Sequence, residues 1–158
     1  MSGRPIWDAD RAAARIEAMR HEPGALLPIL HALNEEFGYI DEAAVPLIAR
    51  ALNLSRAEVH GVVSFYHDFR EAPPGAHVLK LCRAEACQSM GADALAADAR
   101  ARLGIGWGET TADGRFTLEP VFCLGLCACA PAAMLDGKVM GALDRERLGA
   151  LLDRTRRS

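Results

Sequence analysis

The sequence predicts an α+β protein: an N-terminal four-helix subdomain, residues 1–72, followed by a mixed strand-and-helix domain, residues 73–158. Three observations lead there. Apolar residues recur every three or four positions through the first seventy residues, the period of a helix face. After the Pro- and Gly-rich segment EAPPGA, residues 71–76, that period gives way to shorter extended runs. Two of those runs end at cysteines that begin close pairs, Cys82-x₄-Cys87 and Cys123-x₃-Cys127, with 35 residues between the pairs.

In the first subdomain, Asp8 or Asp10 can cap a helix carrying Ala12, Ile16 and Met19, ended by Pro23-Gly24. The segment ALLPILHALNEEF places Leu26, Leu30, Leu33 and Phe37 on one face, and Gly38 is a natural stop. Pro28 lacks a backbone donor and limits how far upstream that helix begins. Asp41 caps a third helix with Val45, Ile48, Ala49 and Leu52 inward. Ser55 and Glu58 form a capping box for a fourth, carrying Val59, Val62, Tyr66 and Phe69. These helices serve packing rather than chemistry.

In the second domain, His77 to Leu81 reads as a strand ending at Cys82, and Gln88 to Leu103 as a helix with Leu95, Ala99 and Leu103 inward. A glycine-rich loop, 104–114, leads to a strand from Phe116 to Phe122, ending at Cys123. Met134-Leu135 and Val139-Met140 flank Asp136-Gly137, a two-residue hairpin signal. A last helix begins near Asp144 with Leu148, Leu151 and Leu152 inward. The order β-α-β-β-α resembles that of the thioredoxin family.

Net charge is −3 and nearly balanced along the chain, which gives no footprint for nucleic acid. Arg154, Arg156 and Arg157 read as a solvated terminus. No apolar run is long enough for a membrane span, and the opening MSGRPIWDADRAAARIEAM has no signal-peptide stretch, so a cytoplasmic protein is expected. In that compartment, five cysteines are reduced thiols or metal ligands rather than a disulfide framework.

If the two strands lie side by side, the loops at their ends bring Cys82, Cys87, Cys123 and Cys127 together. Four thiolates suit Zn²⁺ or an iron–sulfur cluster. A zinc staple is typical of domains too small to fold alone, and this one has core enough. Gly125 frees backbone N–H groups to approach inorganic sulfide, and Ala84, Ala86, Ala128, Ala130, Ala132 and Ala133 offer small apolar walls. A helix starting after Cys87 offsets anionic charge through its dipole. The spacing matches neither the bacterial [4Fe–4S] run nor the plant-type ferredoxin pattern. No C-x-x-C is present for dithiol chemistry.

With these spacings, and with PGALLPILHALNEEFGYI, LSRAEVHGVVSFYHDF, LCRAEACQSMGA and FCLGLCACAPAAML, the chain resembles the thioredoxin-like [2Fe–2S] ferredoxins over nearly its whole length. That family includes the 24-kDa-type subunit of respiratory complex I and related subunits of NAD-linked hydrogenases and formate dehydrogenases. The wording CLGLCACAPA and GVVSFYHDF is most similar to the γ subunits of NAD-dependent formate dehydrogenases. The resemblance implies a thioredoxin-like [2Fe–2S] domain after the helical subdomain, with Cys82, Cys87, Cys123 and Cys127 as cluster ligands. It also implies a non-catalytic electron-transfer role beside an FMN- and NAD-binding subunit and a larger Fe–S catalytic subunit. The competing expectations are a redox-silent zinc-stabilised module and a thiol enzyme or sensor using Cys127 and Cys129.

Other signals are read as structural. Cys129, extra to the four, is expected to be a buried neighbour. His60 and His67, seven apart on one helical face, are satisfied or surface histidines. Phe65, Tyr66 and Phe69 are core or interface, and GIGWG at 104–108 lacks the strand–helix setting of a phosphate loop. Trp107 is expected to be exposed on a partner surface.

Overall fold

A computed structural model of the chain describes residues 6–157. Two compact units part between Pro73 and Pro74. Among the described residues the first unit holds four helices: α1 (Ala9–Met19), α2 (Leu26–Phe37), α3 (Ala44–Leu52) and α4 (Arg56–Phe65).

Several helix ends have a local cause. The Asp8 carboxylate accepts from the N–H groups of Asp10 and Arg11, satisfying donors that the first turn of α1 leaves open. Gly38 closes α2 in the left-handed region at φ 86°, donating its N–H to the Asn34 carbonyl. Asn53 closes α3 in the same way. The inward faces make one core, with Ile29, Leu30, Leu33, Ile48 and Val59 fully buried and Trp7 set 5.0 Å from the Phe37 ring.

The fourth helix departs from expectation. It ends at Phe65, and Tyr66 is already extended, so the inward residues are Val59 and Val63 rather than a stripe through Tyr66. Phe69 still reaches the core, through a turn in which its N–H bonds the Tyr66 carbonyl. Phe65 and Tyr66 face solvent. His60 and His67 therefore share no helical face, and both are exposed.

The capping box at the start of α4 is complete: Glu58 N–H bonds Ser55 Oγ, and the Ser55 N–H and hydroxyl reach the Glu58 carboxylate at 2.8 Å. Ser55→Ala is expected to cost about 1 kcal/mol, read as a lower denaturant midpoint. The Ser55 N–H and then its hydroxyl hold the Glu58 carboxyl below its ordinary value of 4.5. The folded state thus binds this proton less readily than the unfolded one. The contribution is complete above that ordinary value and disappears as pH falls through the lowered folded one. Glu58→Gln should remove that acid-side loss; an unchanged stability–pH profile would show the box to be idle.

The second unit places β1 (His77–Cys82), α5 (Glu85–Ser89), α6 (Ala92–Leu103), β2 (Phe116–Val121), β3 (Ala133–Leu135), β4 (Lys138–Met140) and α7 (Arg145–Arg157) in that order. The described strands form a four-stranded sheet in the order β2-β1-β3-β4, with β1 and β2 parallel and the other neighbours antiparallel. The four described strands are the two single strands and the hairpin pair read from the sequence, one more than the shorthand β-α-β-β-α counts, and the short helix α5 is additional. Instead of one helix from Gln88 to Leu103, the chain breaks at Gly91, which takes φ 88° between α5 and α6.

Leu79, Leu81, Phe116 and Leu118 meet α6 and α7 through Leu95, Ala99, Leu148 and Leu152. The Asp136-Gly137 turn has both residues at positive φ, 49° and 81°, as a tight hairpin with the strand twist requires. Pro120 is tolerated because β2 has β1 on one side only. Pro120 is in phase with Leu118, whose N–H bonds the Glu109 carbonyl on the side away from β1. Asp144 starts α7 by accepting the Arg147 N–H. Near its end, the Arg156 guanidinium bonds the Arg102 carbonyl and its own carbonyl accepts from Arg115, so this part of the basic tail is tied down.

Candidate metal centre

The parallel pairing of β1 and β2 determines where the cysteines go. Cys82, the last residue of β1, is in register with Val121, the last of β2, so both strands leave the sheet at the same end. Cys123 follows two residues later, at φ 97°. Strand β3 runs the other way and begins at Ala133, the partner of Leu81, so the segment carrying Cys127 returns to that end as well. Two backbone bonds join the three stretches: Cys82 N–H to the Ala132 carbonyl, 3.0 Å, and Arg83 N–H to the Val121 carbonyl, 2.8 Å.

Cys87 lies within α5, not in a loop ahead of a helix. Cys82 and Cys87 are buried, 3% and 2% exposed. They pack with Ala92 and Ala132, against Ala84, Val121, Leu124, Leu126 and Ala130. Of the alanines expected as walls, Ala128 faces solvent and Ala133 belongs to the main core of the unit. Cys123 and Cys127 are exposed, their sulfurs 3.8 Å apart. Two thiolates on one tetrahedral metal with bonds of about 2.3 Å stand about that far apart. Gly125, at φ 76°, turns its N–H onto Cys123 Sγ at 3.4 Å.

The sulfurs feel one another across both loops. Burial pushes the Cys82 thiol up, but it is outweighed by bonds from the Ala84 N–H, the Cys87 thiol and the N–H groups of Cys123 and Leu124, so Cys82 is held below the ordinary cysteine value. Cys87 is raised by burial, by donating to Cys82 and by the charges of Cys82 and Cys127, against a bond from Ala132. Cys127 is raised first by its bond to Cys123, then by that neighbour's charge, with Cys82 adding to it. Backbone N–H groups aimed at sulfur favour the anionic thiolate, the form that binds metal.

Among the described residues no three His, Cys, Asp or Glu side chains gather closely enough to ring a single ion. The sulfurs come instead as 82 with 87 and 123 with 127, and a bridged two-iron unit asks for two thiolates on each iron. All five cysteines are free thiols.

Cys129 is exposed, not buried, in the 3₁₀ turn Cys127–Cys129. Its Cβ and carbonyl lie against Gly141, where an added Cβ would come within 2.7 Å of both. Trp107 is half-buried against the core of the second unit, with the Arg83 guanidinium 5.4 Å from its ring centre, so it is not an exposed partner contact. Sequence reasoning passed over Arg83 and Gln88. The Gln88 side-chain amide donates to the Arg83 carbonyl at 2.9 Å, closing the turn between Cys82 and Cys87. Only their position beside the cysteines hinted at this.

The family model that matches is the thioredoxin-like [2Fe-2S] ferredoxin, over residues 12–156. The chain is similar to the E subunit of NADH-quinone oxidoreductase of Pseudomonas aeruginosa, 33% identical over 150 residues, covering 94% of this chain and 90% of that protein. It is also similar to the HndA subunit of the NADP-reducing hydrogenase of Solidesulfovibrio fructosivorans, 36% identical over 126 residues, covering 80% of this chain and 74% of that protein. Among solved structures, an NAD⁺-reducing [NiFe]-hydrogenase in the air-oxidized state matches with TM-score 0.71 and 31% identity. That match covers 87% of this chain and spans 23% of the hydrogenase chain.

Proposed function

This chain belongs to the thioredoxin-like [2Fe-2S] ferredoxin family, whose cofactor is a [2Fe–2S] cluster, and on that premise we propose that it is an electron-transfer subunit of an NAD-linked oxidoreductase complex. The observation that carries the reading is the gathering of two sulfur pairs at one end of the sheet, one buried and one exposed. Buried Cys82 and Cys87 and exposed Cys123 and Cys127 would hold the cluster. The cluster, when bound, supplies one-electron redox chemistry; the protein supplies position and electrostatics.

The chain's own groups suit that task. The N–H groups of Ala84, Cys123 and Leu124 lower the Cys82 thiol, and that of Gly125 bonds Cys123 sulfur at 3.4 Å, so each favours negative charge on a ligand. The alanine- and leucine-lined wall excludes water from the buried pair. The exposed pair gives a partner's redox group a short path. Hydride chemistry moves two electrons, so a flavin that divides them belongs to another chain: an FMN- and NAD-binding subunit, beside a larger Fe–S catalytic subunit. Among the described residues no helix is long and apolar enough to cross a membrane.

The finer reading is the γ subunit of an NAD-dependent formate dehydrogenase, supported by the CLGLCACAPA and GVVSFYHDF segments. The experiment is iron and sulfide analysis of anaerobically purified chain, EPR after reduction, and recovery of its complex from the native cell. Two irons per chain, a reduced-state EPR signal and a formate-oxidising complex are the expected results. Zinc in place of iron ends the reading; a quinone-reducing or hydrogen-oxidising complex removes only the formate assignment.

A paired variant test separates the fourth ligand from its neighbour. Cys129→Ala should retain the visible absorption, and Cys127→Ser should lose it or give a labile centre. The reverse pattern reassigns the ligand to Cys129.

A further inference from the structure

Arg83 follows Cys82 directly, and its side chain is only 34% exposed, folded against its neighbours rather than extended. Its guanidinium lies over the Trp107 ring, 5.4 Å from the centre, and its Nη2 reaches the Asp93 carboxylate in the first turn of α6 at 3.3 Å. Its Nε is buried and has no hydrogen-bond partner among the described residues. An orphaned buried donor on a cation is costly to maintain. Its backbone, meanwhile, joins the two cysteine loops, with the N–H bonded to Val121 and the carbonyl to Gln88.

A fixed charge in a partly desolvated place acts on its surroundings more strongly than a solvated one. Stacking on an indole and a fork-shaped head, both particular to arginine, hold that charge in one geometry. A cluster bound by four thiolates carries two negative charges when oxidised and three when reduced. A cation on the residue after Cys82, paired to Asp93 beside the Ala92 that packs with Cys82 and Cys87, therefore favours the reduced form.

We propose that Arg83 is a positioning residue that raises the reduction potential of the centre, with Asp93 as its opposing charge and Trp107 as the platform that keeps the guanidinium in place. The proposal rests on the reading that Cys82, Cys87, Cys123 and Cys127 hold a [2Fe–2S] cluster. Reduction is one electron taken from an external donor, with no bond made or broken at Arg83.

The test is an EPR-monitored redox titration of the cluster-replete full chain. Arg83→Gln should lower the midpoint potential. Arg83→Lys, which keeps the charge, should lie closer to wild type. Asp93→Asn, at an exposed position, should shift it the opposite way, upward. A purely structural staple predicts otherwise: both Gln and Asn variants break the same ion pair and would shift the potential in one direction. Equal shifts in Arg83→Lys and Arg83→Gln, shifts of one sign in Arg83→Gln and Asp93→Asn, or no shift in Arg83→Gln overturn the proposal. Should Arg83→Gln fail to hold its cluster, Asp93→Asn decides alone, an upward shift supporting and any other result refuting. A wild-type chain without iron and sulfide removes the cluster reading and this inference together. An intact wild-type centre indifferent to these variants removes this inference only.

Discussion

Cys87→Ala is expected to abolish the cluster: iron falls from two per chain to background, with the visible absorption and the reduced-state EPR signal lost together. The residue is 2% exposed and enclosed by Ala92, Ala132 and the other apolar residues of its wall, which offer no replacement donor. If Cys87 is a ligand, its loss would leave a vacated position lined by apolar side chains. Removing one sulfur changes the volume little, so far-UV circular dichroism should remain that of the wild type. Full iron content with an unchanged EPR signal would strike Cys87 from the ligand set. Because the pair is buried, this loss should exceed that from replacing exposed Cys127, where solvent can supply a substitute ligand.

Phe37→Ala should be the most destabilising single truncation in the helical unit, costing about 3–5 kcal/mol. Phe37 closes α2, is 2% exposed, and fills the space between the Trp7 ring and the rest of the core. The Arg11 guanidinium lies 5.8 Å from its ring centre and loses that platform too. Against a total stability of about 5–15 kcal/mol such a loss is a large fraction. Denaturant unfolding followed by far-UV circular dichroism measures it. A midpoint within error of wild type would mean that neighbouring side chains collapse fully into the gap, contrary to the close packing of this core.

Much of the helical unit is legible residue by residue. Asp8, Gly38 and the Ser55–Glu58 box are local signals whose partners lie within four residues, and each appears where the sequence places it. The Asp136-Gly137 hairpin is equally local, since two positive-φ residues between apolar pairs leave one turn available. The errors have a different origin. Val59, Val62, Tyr66 and Phe69 keep a helical period past the true end of α4 with no Gly or Pro between Val62 and Phe69, and only the route of the chain back to the core moves Phe69 into a turn. Gly91 is a residue a helix tolerates, so its positive φ, and the separate short helix around Cys87, leave no mark in the periodicity. Trp107 sits in a glycine-rich loop that reads as exposed, yet pairing with β2 brings that loop onto the core beneath Arg83. Cys129 has the composition of a buried thiol but lies on an exposed turn pressed against Gly141.

Residue identity settles the chemistry available here: four thiols in two close pairs, small neighbours around them, and a helical segment with a core of its own. Spacing within each pair is a local quantity, and the chain writes it directly. Whether the pairs meet is not local. It depends on β1 and β2 lying parallel in a register that joins Cys82 to Val121, and on β3 returning beside β1 in the opposite sense. Such pairings are set by the burial of Leu79, Leu81, Phe116 and Leu118 against two helices, a many-body fit across distant parts of the chain, so only the folded arrangement brings the four sulfurs to one end of the sheet.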